Sequence, residues 1–287
     1  MSNVDRPLSG IRIIGLEQYM AGPYCTMLLA DAGAEVIKIE RPGTGDPRRM
    51  MPPFAEKDGN KKAAGCMTAY GILQALYMRE RTGEGQLVDS AMFDNMLSLN
   101  EQMVTMYSIA GQVGERGKLT NYYPRGAFQT KDGYLALHCP DNILWQRLER
   151  PDLKEDERSV NAPARCANTD FLDPIINGFL SSMTRDEAVA KLNGAGVPCG
   201  PVNTAVDIFE DPHVKARGML MDIDDPDVGS FKFTRTTPHL SSAPELPKQA
   251  APRLGQHTRE ILSGLLGRTD GEIDALAADG VVGTDDS

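Results

Sequence analysis

Residues 8–45 read LSGIRIIGLEQYMAGPYCTMLLADAGAEVIKIERPGTG. Ile11, Ile13 and Ile14 form a short β-branched run closed by Gly15, which predicts a strand. Pro23 stands where a first helical turn tolerates a missing N–H. Met27, Leu28, Leu29 and Ala32 give the following helix an apolar side, and Gly33 ends it. Val36, Ile37 and Ile39 make a second strand. Two apolar strands joined by a helix predict a parallel β-α-β unit buried on both faces. Ligands of such sheets bind beyond the carboxyl ends of the strands. Those ends are Gln18 to Gly22 and Glu40 to Gly45.

Further along, Met67, Ala69, Ile72, Leu73, Leu76 and Tyr77 mark a helix from about Ala64 to Glu80, ended by Gly83-Glu84-Gly85. Gln86 to Val88 suits a short strand. Asp89 or Ser90 suits the cap of one long helix through about Ile109. Arg125 to Phe128 and Tyr134 to His138 flank Asp132-Gly133, a hairpin signal. Trp145 falls on a short helix. Thr184 with Glu187 fits a capping box. Val197 to Val202 leads into a loop or strand. Pro212 breaks a helical piece at Ile208 to Val214. Met219 to Ile223 pairs with Phe231 to Phe233, and helices close the chain at Thr258 to Leu266 and Gly271 to Ala277. The tail from Gly283 reads as disordered.

Composition narrows the function classes. Of 287 residues 41% are hydrophobic and 24% charged, as in soluble globular proteins. A net charge of -10 argues against a general nucleic-acid surface. No apolar run approaches the roughly 20 residues of a membrane span, and the first ten residues lack a secretory apolar core, which suits a cytoplasmic protein. Five scattered cysteines, never spaced as CxxC, suit reduced thiols. No metal-ligand spacing occurs. Gly43-Thr44-Gly45 lacks the Gly-Lys-Ser/Thr of a P-loop, and Glu40 follows a first turn without the dinucleotide fingerprint, so NAD binding is weakly supported. His138, His213 and His257 read as packed or helix-terminal. Cys199 reads as packing with a reactive thiol as the alternative, and Met92 to Met106 as core or dimer packing.

Several segments occur together in order: the opening stretch continued to Arg49, GILQALYMRERTGEGQLVDSAMFD, TKDGYLAL, GVPCGPVNT, IFEDPHVKARGM and APRLGQHTREIL. In this combination the chain resembles the family III CoA-transferases, the group with formyl-CoA transferase, carnitine CoA-transferase and α-methylacyl-CoA racemase. The resemblance implies an α/β fold. A nucleotide-binding-like large domain would come from both chain ends (1–110 and 240–287), with a smaller α+β domain (111–239) inserted from the middle. It implies an interlocked homodimer, acyl-CoA and a small carboxylic acid as substrates, and no prosthetic group. In such transferases an aspartate attacks the thioester, and carboxylate catalysis splits one acyl transfer into easier steps.

Residue by residue, Gln18, Tyr19 and Met20 match the turn that lines the pantetheine arm. Some members carry glutamine at the Met20 position, so this chain departs there. Arg41 matches the arginine at the adenosine end of CoA; by spacing alone it reads as a solvated charge. Arg48 and Arg49 read equally as phosphate contacts or solvated loop. The nucleophile's position is occupied by Lys61. A lysine, protonated at neutral pH, does not replace an anhydride-forming carboxylate. Asp89 and Asp94 belong to the following strand and helix in the family pattern. A long stretch is therefore expected to be absent between about Lys61 and Ala63, and transfer to be impaired. The alternatives are a racemase- or epimerase-like member, and a non-catalytic CoA-binding or dimerising remnant.

Overall fold

The computed structural model describes residues 6–50, 59–113, 122–139, 142–246 and 248–285, with the side chains of 59–62 outside that description. These residues group into two compact units, 1–100 with 212–287, and 101–211.

The first unit opens with β1 (Arg12–Gly15), α1 (Ala21–Asp31) and β2 (Glu35–Lys38). The strands pair in parallel, Ile13 beside Val36 and Ile14 beside Ile37. Gly33, at φ +106°, turns the chain out of α1. Its N–H donates to Ala30 O at 2.8 Å and that of Ala34 to Leu29 O at 3.0 Å, the paired bonds of a Schellman stop. α2 (Gly59–Thr82) and α3 (Met92–Leu99) follow. Leu8, Cys25, Leu29, Ala34 and Ala69 form this unit's core, with Ile11, Ile13, Leu28, Ile72 and Leu76 packed around them. The reading of strands buried on both faces holds only in part. Ile14 is 54% exposed and Ile39 53%, because among the described residues the helices of this core cover one face of a two-stranded sheet.

The middle unit begins with α4 (Glu101–Ala110). β3 (Arg125–Gln129) and β4 (Tyr134–His138) form the expected hairpin, with Gln129 opposite Tyr134. α5 (Ile143–Arg147), α6 (Ala162–Ala167), α7 (Thr169–Leu180) and α8 (Arg185–Gly194) lead to β5 (Cys199–Pro201), which pairs antiparallel with β4, and then to α9 (Ala205–Glu210). Trp145, Leu135, Leu144, Leu153, Leu172, Ile176 and Leu180 are fully buried here. The Thr184 hydroxyl accepts from Glu187 N–H, and the Glu187 carboxylate accepts from Thr184 N–H, completing the capping box.

The chain then returns to the first unit with α10 (Pro212–Ala216), the hairpin β6 (Leu220–Asp225) and β7 (Gly229–Thr234), α11 (Thr258–Gly264) and α12 (Asp270–Ala278). Residues 212–239 thus group with the chain ends and 101–110 with the middle, which shifts both expected boundaries. Hydrogen bonding gives the reason. Thr236 Oγ1 donates to Asp31 Oδ2 at 2.7 Å, Arg253 pairs with Asp227, and Asp224 bridges to Gln249.

Three further local expectations differ. Residues 86–88 form no strand. The expected long helix is two, α3 and α4, separated at Asn100, whose φ of -103° and ψ of 29° are not helical. Ala91, rather than Asp89 or Ser90, holds the N-cap position of α3, with no side-chain cap. α2 begins at Gly59, not Ala64, since 59–63 contain no proline to stop a helix extending backwards.

Candidate functional site

The two turns beyond β1 and β2 are drawn together by one residue that the sequence reading passed over. Asp46 is buried, 2% exposed, and its carboxylate has three donors. Lys38 Nζ lies 2.5 Å from Oδ2, Arg48 N–H donates to Oδ1 at 2.9 Å, and Tyr19 N–H donates to Oδ1 at 3.1 Å. Burial alone would raise the pKa of this carboxyl. The Lys38 ammonium and the two N–H groups outweigh it and hold the pKa below the ordinary aspartate value. Asp46 therefore ties the first turn, through Tyr19, to the second, through Lys38 and Arg48. The only sequence signal was the Asp-Pro of a turn.

Within this edge Gln18 is exposed and Tyr19 takes a left-handed backbone, φ +64°. Such a conformation is uncommon for a bulky residue, and here the Asp46 bond to its N–H accompanies it. Met20 is the N-cap residue of α1 and offers no side-chain cap. On the second turn Glu40 accepts from Arg49 Nε at 2.8 Å and lies 3.4 Å from Lys38 Nζ. Arg49 also donates to Pro252 O at 3.0 Å. Lys38 and Arg49 are thus engaged by acidic partners. Arg41 is exposed, and its guanidinium makes none of the ion pairs among the described residues. A guanidinium left free beside a turn suits a phosphate or a stacked base.

The remaining candidates are dispersed. Lys61 lies in the first turn of α2, and its side chain is outside the described residues. Asp89 and Asp94 are exposed, Asp94 on the first turn of α3. His138 ends β4, exposed, with the Tyr122 ring 6.0 Å away. His213 lies in α10, and His257 precedes α11 without a side-chain cap. Cys199 is half-buried against Asn193, and burial raises its thiol pKa, which suits packing. None of the five cysteines is in a disulfide, and among the described residues no group of His, Cys, Asp and Glu is placed to hold a metal. No described helix is long and apolar enough to cross a membrane.

Below the first turn lies a cavity of about 250 Å³, lined in part by Glu17, Gly22, Cys25, Thr68, Ser90 and Asn95. Glu17 Oε1 accepts from Thr26 Oγ1 at 3.0 Å, whereas Glu17 Oε2 is buried with no hydrogen-bond partner among the described residues. Burial, with the Glu17 charge adding to it, pushes the Cys25 thiol up to about 11.

The two turns of the β-α-β unit thus form one edge, with Asp46 between them. The pattern of CoA-transferase family III matches residues 8–64 and 60–258. The chain belongs to this family. It is similar to the succinyl-CoA--D-citramalate CoA-transferase of Chloroflexus aurantiacus, 27% identical over 395 aligned positions that cover 96% of this chain and 98% of that one. It is 28% identical to the succinyl-CoA:mesaconate CoA-transferase of Haloarcula hispanica, covering 89% of this chain and 95% of that one. Its fold matches the crystal structure of a CAIB/BAIF family protein from Brucella suis, with a TM-score of 0.75, 23% identity, and coverage of 91% of this chain and 100% of that one. The 395 positions of the first alignment exceed the 287 residues of this chain by 108. Because nearly all of both chains is covered, that excess lies between the aligned ends. The family match itself breaks at residues 60–64.

Proposed function

We propose that this chain binds a CoA thioester along the edge made by Gln18, Tyr19, Met20 and Arg41, and that it derives from enzymes moving CoA between an acyl-CoA and a carboxylic acid. The observation that carries the reading is the Asp46 node, which holds both turns in one place, while Arg41 makes no ion pair among the described residues. The relatives' names favour succinyl-CoA as donor and a dicarboxylic acid as acceptor. Transfer is slow in this chain, because Lys61 stands where the family resemblance puts the nucleophilic aspartate. The large CoA-binding domain from both chain ends, an interlocked pair of copies and a cytoplasmic setting belong to the same proposal. A chain that binds CoA without turnover is the second reading, and Lys61 favours it.

Calorimetric titration with CoA tests the binding edge. Arg41→Ala is expected to weaken binding about tenfold to a hundredfold, the loss of one charge-assisted contact. Unchanged affinity would move the adenosine end elsewhere. Transfer is tested by mixing succinyl-CoA with citramalate, malate, mesaconate or glutarate and resolving the CoA esters by mass. Hydroxylamine trapping of an acyl-aspartate in the wild-type chain would overturn the claim that its nucleophile is lost.

A further inference from the structure

Away from the CoA edge, three basic side chains meet where α10 leads into β6 and β7 leaves its hairpin. Arg217 and Gly218 lie just past the end of α10. Met219 and Arg235 extend the β6–β7 pairing by one row, since Arg235 N–H donates to Met219 O at 2.8 Å. A Cβ on Gly218 would lie 4.0 Å from Arg235 Nη1, so the Arg235 guanidinium reaches over the residue next to Arg217. His239 stands four residues beyond Arg235. Burial, and then the charges of Arg235 and Arg217, push its imidazole below the usual histidine range, so both guanidiniums are felt there.

These cations have no counter-charge among the described residues. Arg217 is exposed, and its side chain makes no hydrogen bond or ion pair there. Arg235 is half-buried. Its Nε is enclosed without a partner and meets no ligand, whereas Nη1 and Nη2 are not enclosed and make no hydrogen bond among the described residues. His239 is alike: Nε2 is enclosed without a partner, and Nδ1 is open. A neutral imidazole with its proton on Nδ1 buries a lone pair rather than an N–H and keeps its donor at the surface.

The neighbouring acceptors are engaged elsewhere. Asp222 pairs with Lys232 at 2.6 Å, Asp227 pairs with Arg253, and Asp225 Oδ1 accepts from the N–H groups of Asp227 and Val228. Asp225 also faces Gly229 at the turn of the hairpin, six residues and about 20 Å from the Met219 row. That is beyond the roughly 8–10 Å over which exposed charges act. Asp31 accepts from Thr236 Oγ1 at 2.7 Å. The last carbonyls of α10, on His213, Val214 and Lys215, accept from the N–H groups of Arg217, Met219 and Gly218. Two guanidiniums and an imidazole thus converge with nothing to offset them, and enclosed nitrogens without partners require a cause.

We propose that Arg217, Arg235 and His239 form a second anion site that takes a phosphate group, free or as a monoester. A carboxylate offers two oxygens to one guanidinium fork. Two guanidiniums and an imidazole N–H match the several oxygens and the higher charge of a phosphate. The site is separate from the CoA edge. Thr236, next to Arg235, bonds to Asp31 at the last residue of α1, whereas the edge ends at Met20 before the first. Eleven helical residues put about 16 Å between them.

The test uses the full chain freed of phosphate and sulfate, with ionic strength held by chloride. Inorganic phosphate is titrated by calorimetry, and the His239 ring is followed by NMR, assigned among the four histidines with His239→Gln. One phosphate per chain is expected. The His239 titration midpoint should rise by about one pH unit on binding, as a nearby opposite charge favours the imidazolium, while those of His138 and His257 stay. Arg217→Ala should weaken binding about tenfold with melting temperature unchanged, because the side chain is exposed. Arg235→Ala should weaken it at least as much, and Arg217→Ala decides if that variant does not fold. Methyl phosphate binding as tightly as phosphate would support the site as one for esters; its rejection alongside phosphate binding would support one for the free ion. No saturable phosphate binding, acetate binding equally well, equal affinities for wild type and Arg217→Ala, or an unmoved His239 midpoint would each overturn the proposal.

Discussion

Asp46 accepts from three donors contributed by both turns of the site, so its charge matters more than its size. Its carboxyl is held below the ordinary range in the folded chain, which gives the pH dependence a definite sign. A depressed carboxyl contributes its full stability above the unfolded pKa, about 3.9, and loses it as pH falls through the lower folded value. The contribution is therefore complete at neutral pH and fades only in acid. Asp46→Asn keeps the shape and removes the charge, leaving Lys38 without its closest partner. Breaking a fully buried pair costs about 3–5 kcal/mol, and because Lys38 is partly exposed about 2–3 kcal/mol is expected here. Urea titrations at pH 7 and below pH 3 check this. The variant should be weaker at pH 7, and the difference should shrink in acid. Equal stability at pH 7 would mean that the two turns hold without the node. The turns around this residue were legible in the sequence because strand ends and glycines mark them. Asp46 was not, because a partner 27 residues away at Tyr19 leaves no periodic trace.

At the level of elements, what the sequence made legible was what is decided within a few residues. The capping box at Thr184, the Asp-Gly hairpin between β3 and β4 and the Schellman stop at Gly33 all rest on side chains or backbone bonds spanning six residues or fewer. Thr184→Ala is expected to cost about 1 kcal/mol, the ordinary worth of an N-cap, read as a lowered urea midpoint. Elements set by packing were less legible. The α3–α4 break at Asn100 has no proline or glycine to announce it, and Ala91 caps nothing with its side chain. The approach of α1 to α2 is a packing fact of the same kind. A Cβ on Gly65 would lie 2.7 Å from the Ala21 carbonyl and 3.3 Å from the Cys25 backbone nitrogen, so the helices meet through bare backbone. Gly65→Ala would gain helix propensity yet force two backbones apart. We expect a net loss of about 1–3 kcal/mol, as in overpacked cores, against a propensity gain of about 1 kcal/mol. A raised melting temperature would show that α1 and α2 slide apart at little cost, and with them the Glu17 cavity that they line.

Across the whole chain, the two units have very different interiors. The middle unit encloses Trp145 and a set of leucines and isoleucines at 0% exposure, continuous from Tyr123 to Val197. The first unit's cluster of Leu8, Cys25, Leu29, Ala34 and Ala69 lies under a two-stranded sheet, with Ile37, Ile223 and Ile273 buried outside that cluster. Its Ile14, Leu16 and Ile39 are exposed at 54%, 79% and 53%. Sheets of two strands are marginal without further cover, and here more than a hundred aligned positions of the relative have no counterpart in this chain. Burial of each large aliphatic side chain is worth about 1.5–3 kcal/mol, so the difference in cores outweighs the caps and ion pairs that the first unit retains. The two units should therefore not melt together. Native-state hydrogen exchange should find the amides of β3, β4 and α7 protected most strongly, and those of β1, β2 and α1 exchanging through a less costly opening. Calorimetry should resolve a lower transition that CoA raises, since a ligand of the first unit stabilises that unit alone by mass action. Uniform protection across both units, with one sharp transition, would show that something other than these cores holds the sheet, and a second copy of the chain would be the first place to look by sedimentation.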